Sequence, residues 1–472
     1  MLFCSKAFLL FFAVVFALYW TMPWHRLRVL LLVVASFVFY ATWNKWLAVI
    51  ICATTCLDYL IARGMEASSS ASRRKLLLAA SLVANLGLLF YFKYANFFLE
   101  SLNEALQAVG ATESLPLLQV ILPIGISFYT FEALNYTIDV YRGKVRAERN
   151  LLNLMLFILF FPHLVAGPIV RARDFLPQAG RRRRRSWPRL HLGLQFFILG
   201  MFKKLAIADR LALYSNPIFA DPSQYATGSL WLATLAYTLR AYCDFSGYSD
   251  MAVGLAHMFG YKLAQNFNLP YLSTNMSEFW RRWHMSLSSW LRDYVYIPLG
   301  GSRGSRWQTY RNLFITFTLC GMWHGATWSF VVFGVIQSVY LIVHHAFRDF
   351  CKTRPRLDAL LQTSPGTTLR IALTFLCFGL SLVIFQAPTL HHGLTMLQRM
   401  AWPSDGKGMP LYLHNFWLTV AVVALGHALA AGGRWKQLVY RLPVPVRGFG
   451  YALMFTLAIV LTSGRAFIYF VF

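Results

Sequence analysis

The chain is predicted to be all-α: a polytopic integral membrane protein with about 11–13 transmembrane helices plus re-entrant segments around a central funnel. Three observations predict this. Of 472 residues, 57% are hydrophobic and only 13% charged, with a mean hydropathy of +0.50, whereas soluble chains carry roughly a quarter charged residues. Apolar runs of about 20 residues, enough to cross a hydrocarbon core, recur along the whole length. Linkers between them are short and no internal repeat is visible, so residues 1–472 read as one membrane domain.

In chain order the spans are expected at about 3–21, 27–43, 46–62, 76–92, 117–137, 192–209, 227–243, 313–328, 329–346, 370–387, 412–430 and 449–467. The first resembles a signal peptide but lacks a small-x-small cleavage pattern, so it reads as a retained span. Lys and Arg gather in cytoplasmic loops. Arg63, Arg73 and Arg74 after span three, and Arg142, Arg146 and Arg149 after span five, place the N-terminus outside. The cluster Arg171, Arg173 and 181–185 also demands the inside, which a full crossing by 151–170 would forbid. That segment holds Pro162 and Gly167-Pro168, which break a helix, so it is expected to be re-entrant. Broken backbone at depth must be satisfied by protein or by a water-filled cavity, and this is the basis for the funnel. The same parity puts 262–311, 352–356 and 434–447 inside, and 98–116 and 388–411 outside. Residues 313–346 must hold two short crossings, or a tilted span and a half-helix.

The formal net charge is +26. A nucleic-acid partner is not expected, because the excess sits in short loops where the positive-inside bias accounts for it. Membrane lipids with anionic headgroups, or a phosphorylated cofactor, suit it better. The seven cysteines form neither a paired framework nor a metal-ligand spacing.

Candidate chemistry centres on two histidines. His324 lies in an apolar run among Gly321, Gly325 and Ala326, and ionisable groups in such runs usually face a cavity or bundle interior. An imidazole is the usual general base near neutral pH. Cys320, one turn earlier, permits a Cys-His nucleophilic pair but reads more simply as a buried apolar residue. Forty residues before His324 stands His284, within 275–293. That segment is predicted to be one amphipathic helix, capped by Asn275 with Glu278 three residues on. Trp280, Trp283, His284 and Trp290 fall on one face, and Arg281, Arg282 and Arg292 on the other. The glycine-rich stretch 297–306, with Arg303, could cradle a phosphate or be a plain loop. Asp244 to Asp250 follow a predicted span and could orient a histidine or cap a helix over 251–259.

Several blocks then stand together: Leu122-Pro-Ile-Gly-Ile-Ser-Phe-Tyr-Thr-Phe131, Ile138-Asp-Val-Tyr-Arg-Gly143, Phe161-Pro-His-Leu-Val-Ala-Gly-Pro168, Asp244-Phe-Ser-Gly-Tyr-Ser-Asp250, Glu278-Phe-Trp-Arg-Arg-Trp-His284, Trp290-Leu-Arg-Asp-Tyr-Val-Tyr-Ile-Pro-Leu-Gly-Gly301 and Met322-Trp-His-Gly-Ala326. In this order, over about 120–330, they resemble the membrane-bound O-acyltransferase family, in its bacterial polysaccharide-acetylating branch.

The resemblance implies a helical ring around a funnel in the bacterial inner membrane. His324 matches the family's invariant histidine, and His284 its second, upstream one. It implies an O-acetyltransferase that carries acetyl from a cytoplasmic donor, acetyl-CoA, across the membrane for O-acetylation of an exported polysaccharide such as alginate, with cellulose or peptidoglycan as alternatives. Periplasmic acetyltransferase partner proteins would complete the transfer, and no cofactor would be tightly bound. Cys320 is not part of the family motif. In this chemistry His324 would be the base, His284 the oxyanion donor, and Arg281, Arg282, Arg292 and Arg303 the attraction for the donor's phosphates. A transporter or flippase is the competing class, since midplane polar groups also mark transport sites; a non-catalytic scaffold is a third.

Overall fold

The computed structural model describes residues 3–110, 114–410, 412–433 and 441–461. Among these the chain is helical, and the one β pairing is an isolated bridge between Tyr225 and Lys407. Six helical runs are long and apolar enough to cross a membrane: Lys45–Ala67, Ala71–Ala108, Trp187–Ala220, Trp328–Lys352, Ser364–Gln386 and Leu413–Gly433; Lys6–Thr21 and Val444–Val460 are shorter apolar helices. Their exposed positions include Leu60, Val83, Leu369 and Leu418. That is the reverse of a water-facing helix and fits a lipid-facing surface. Part of the expected basic stretch 434–447, and the end of the span expected at 449–467, lie outside the described residues.

The chain divides into two compact units, Met1–Phe197 with Ser249–Ala264, and Ile198–Tyr248 with Gln265–Phe472. The first contains α1 (Lys6–Thr21), α2 (His25–Ala41), α3 (Lys45–Ala67), α4 (Ala71–Leu89), α5 (Ala95–Ala108), α6 (Ile126–Tyr141), α7 (Leu151–Leu159) and α8 (Ala172–Ala179). Its core is a cluster of aromatic rings in contact, Phe8, Phe39, Phe160, Phe161, Phe175, Phe259 and Tyr261. The span expected at 117–137 begins later, because Gly125 takes a left-handed φ of 76° at the N-cap of α6. Helix α7 has nine residues, about 14 Å, against a hydrocarbon core of about 30 Å. After it the chain turns at Phe161–Pro168, as the two prolines lead one to expect. Helix α6 ties both sides of that turn. Glu132 Oε1 lies 3.1 Å from His163 Nδ1 and accepts the Val170 N–H at 2.9 Å. Asn135 donates to Val170 O and accepts from Ala172 N. The buried amides of Val170 and Ala172 and the Val170 carbonyl, just after the turn, are thereby satisfied.

Helices α9 (Trp187–Met201) and α11 (Thr227–Met258) contribute residues to both units. The second unit also holds α10 (Asp209–Ala220), α12 (Met276–Arg282), α13 (Met285–Leu291), α14 (Arg306–His324), α15 (Trp328–Lys352), α16 (Pro355–Gln362), α17 (Ser364–Gln386), α18 (Leu390–Ala401), α19 (Leu413–Ala430) and α20 (Val444–Val460). Two expectations are corrected here. Asp244 to Asp250 do not follow a span but lie inside the 32-residue helix α11, where Lys204 neutralises Asp244. Residues 313–346 hold two consecutive helices, as expected, but the expected lengths are too short. These residues belong to a hairpin of 19 and 25 residues, because α14 starts at Arg306 behind a Ser305–Gln308 capping box and α15 runs on to Lys352. Glycines let its two backbones touch: a Cβ on Gly321 would fall 2.7 Å from Gly334 Cα, the close approach that small residues allow between membrane helices.

Candidate active site

His324 is the last residue of α14. Gly325, extended and pressed against the Phe330 ring, ends the helix there. The imidazole is 5% exposed, with the Phe385 and Phe333 rings edge-on at 5.2 and 6.0 Å. It opens on a narrow apolar cavity of about 20 Å³, lined also by Tyr237, Trp280, Trp283, Phe378 and Phe385.

His284 departs from the sequence expectation. Residues 275–293 are not one helix: the chain breaks at His284, which takes φ 42° and ψ 55° between α12 and α13. Left-handed backbone on a non-glycine residue costs about 1–3 kcal/mol and persists only where its surroundings enforce it. Buried Asn266 does so, its carbonyl accepting the Met285 N–H at 2.9 Å and its side chain the Ser286 N–H at 3.2 Å. The break swings the ring into a fully buried position between Phe245, at 4.6 Å between centroids, and Trp323, at 5.6 Å. Trp323 precedes His324, so one indole touches both imidazoles. Burial, with the nearby His324 ring, holds the His284 pKa well below the ordinary imidazole value, leaving the ring neutral. The expected cap does form, Glu278 N donating to Asn275 Oδ1 at 2.8 Å, while the Glu278 carboxylate reaches back to Thr274 rather than Asn275.

A larger cavity, of about 390 Å³, adjoins α12 and α13. Arg281, Arg292, Ser288, Ser289, Tyr296 and His345 are among the residues lining it. Of the four arginines singled out in the sequence, Arg281 and Arg292 line this vestibule. Arg282 turns instead to Glu278, at 2.7 Å, and Arg303 stands exposed on the turn made by Gly300 and Gly301. Cys320, buried in α14, and the fully buried His284 line neither cavity.

One residue lines both cavities: Trp280, itself 5% exposed. Sequence reasoning missed what holds it. Its indole N–H donates to Gln337 Oε1 on α15, and Gln337 Nε2 donates to Ser381 Oγ on α17. The available signal was a glutamine inside an otherwise apolar run. His345, which helps line the vestibule, was also overlooked, as a polar residue near the end of a span.

Residues 119–385 match the membrane-bound O-acyltransferase family. The chain is 42% identical over 403 residues to a Pseudomonas aeruginosa protein named "Probable alginate O-acetylase AlgI", covering 85% of this chain and 75% of that one. It is 35% identical over 399 residues to a Helicobacter pylori peptidoglycan O-acetyltransferase, covering 78% and 73%. A Bacillus subtilis teichoic acid D-alanyltransferase is 31% identical over 290 residues, 57% of this chain and 70% of that relative. The chain belongs to the membrane-bound O-acyltransferase family. It is a multi-pass inner-membrane acyltransferase, which favours transfer chemistry over the transporter and scaffold readings.

Proposed function

We propose that this enzyme takes acetyl from a cytoplasmic thioester, acetyl-CoA, and delivers it across the membrane for O-acetylation of an exported polysaccharide of the alginate type. The observation that carries this reading is the position of Trp280 in the walls of both cavities. A donor whose phosphates rest on Arg281 and Arg292 directs its acyl end past Trp280 toward His324. Charge-assisted contacts of arginine with phosphate are among the stronger polar interactions.

In the transfer an acceptor hydroxyl oxygen attacks the thioester carbonyl carbon. The C–O bond forms and the C–S bond breaks. His324 takes the hydroxyl proton and hands it to the departing thiolate, so no proton is gained or lost overall. The neutral His284 ring supplies an N–H to the oxyanion, a contribution typically worth about 10²–10³-fold in rate. Periplasmic acetyltransferase partners then place the group on polymer hydroxyls. The higher identity to the protein named for alginate than to the one named for peptidoglycan favours the former acceptor class.

Purified protein in liposomes, given acetyl-labelled acetyl-CoA, tests this directly. Free CoA should appear together with label leaving the donor, faster when a hydroxyl acceptor is added. A donor that stays intact over hours would contradict the proposal.

A further inference from the structure

Lys204 is a charged group inside the apolar run Trp187–Ala220, and such groups are retained at depth only with partners. It lies in the π-helical turn Phe202–Ala208 that joins α9 to α10; π turns recur at functional sites. Its ammonium is 3.0 Å from Asp209 Oδ1 and 2.5 Å from Asp244 Oδ1, and all three residues are buried. Removing one partner from a buried ion pair strands the other charge, so such a pair resists separation. A second contact locks the same two elements. A Cβ on Gly247 would fall 2.8 Å from Gly200 O and 3.2 Å from Lys204 N. Helix α11 therefore meets the π turn at backbone distance.

Phe245 stands between these two contacts. Its ring meets His284 edge-on, at 4.6 Å and 82°, and packs against Phe267 at 5.1 Å. Its neighbour one helical turn back, Ala241, helps line the His324 cavity. The side of His284 away from Trp323 is thus set by a helix whose register depends on a buried salt bridge.

We infer that the Lys204–Asp244 pair is a positioning element for acyl transfer: it fixes α11 against the π turn and so holds Phe245 against the His284 imidazole. The inference rests on the catalytic role proposed for His284.

The test is steady-state acetyl transfer by the full-length protein. Asp244→Asn keeps the side-chain shape and leaves Lys204 its second partner, Asp209. It should lower kcat about tenfold with donor KM within about twofold, the pattern of a lost transition-state contribution. Phe245→Leu leaves the ion pair intact and should lower kcat as much. The double variant should lose no more than either single change, because residues acting along one route are not additive.

A kcat for Asp244→Asn within about twofold of the parent, or a double-variant loss equal to the product of the single losses, overturns the inference. Should Asp244→Asn fail to accumulate in the membrane, Phe245→Leu decides, and an undiminished kcat there overturns it. His284→Gln is measured in parallel. Full activity of that variant removes the catalytic reading of His284 itself. An inactive His284→Gln beside a fully active Asp244→Asn overturns only the positioning role.

Discussion

The indole N–H of Trp280 donates to Gln337 Oε1 across 3.2 Å, and Gln337 continues the chain to Ser381 Oγ at 2.7 Å. Gln337 and Ser381 are buried in two apolar helices, α15 and α17. Placing polar side chains there is costly unless each is satisfied, and their partner is the residue shared by the two cavities. Gln337→Leu keeps the volume but strands the indole N–H, a loss of about 1–3 kcal/mol. Thermal unfolding in detergent should show a lower melting temperature, and an unchanged one would remove the bond from the account.

Arg281 and Arg292 line the vestibule while Arg303 does not. Arg281→Ala and Arg292→Ala should each raise the donor KM about three- to tenfold with kcat nearly kept, since a phosphate contact made equally in ground and transition states affects binding alone. Arg303→Ala should leave KM within about twofold. Titrating acetyl-CoA at low and high salt checks both points, and the arginine effects should shrink as salt screens them.

How far the sequence revealed this site differs between its two histidines. His324 was legible because an ionisable residue among small neighbours in an apolar run stands out by composition. His284 was identified, but its geometry was not. The periodicity of 275–293 is continuous, and the break comes from Asn266, which captures the Met285 and Ser286 amides; local pattern carries no trace of that tertiary contact. Asp244 misled for a similar reason. A carboxylate after an apolar run reads as the end of a span until its counter-ion, Lys204, is known. The hairpin α14–α15 was underestimated because the arginines at its start hide helical residues from a hydropathy window.

Cys320→Ser should keep most activity. The thiol is buried, and buried cysteine is usually inert. Polymer acetylation in cells carrying the variant is the measurement. Inactivation as complete as that of a His324 variant would instead support a covalent acyl-cysteine route.

The stretch 171–185 should be cytoplasmic, given nine-residue α7 and the turn at Phe161–Pro168. Arg182 is exposed. An Arg182→Cys variant in a background of unreactive thiols should resist a membrane-impermeant thiol reagent added to intact cells, then label once the membrane is opened. Labelling in intact cells would place the stretch outside and close the proposed route for the donor.

The central claim is that His324 takes the proton from the acceptor hydroxyl. It is tested most directly by comparing acetyl transfer from labelled acetyl-CoA by wild-type protein and His324→Ala, reconstituted at equal levels. Loss of a general base typically costs about 10²–10⁴-fold, so transfer should fall by at least the lower figure while the variant still accumulates in the membrane. Transfer within about threefold of the wild type would contradict the assignment.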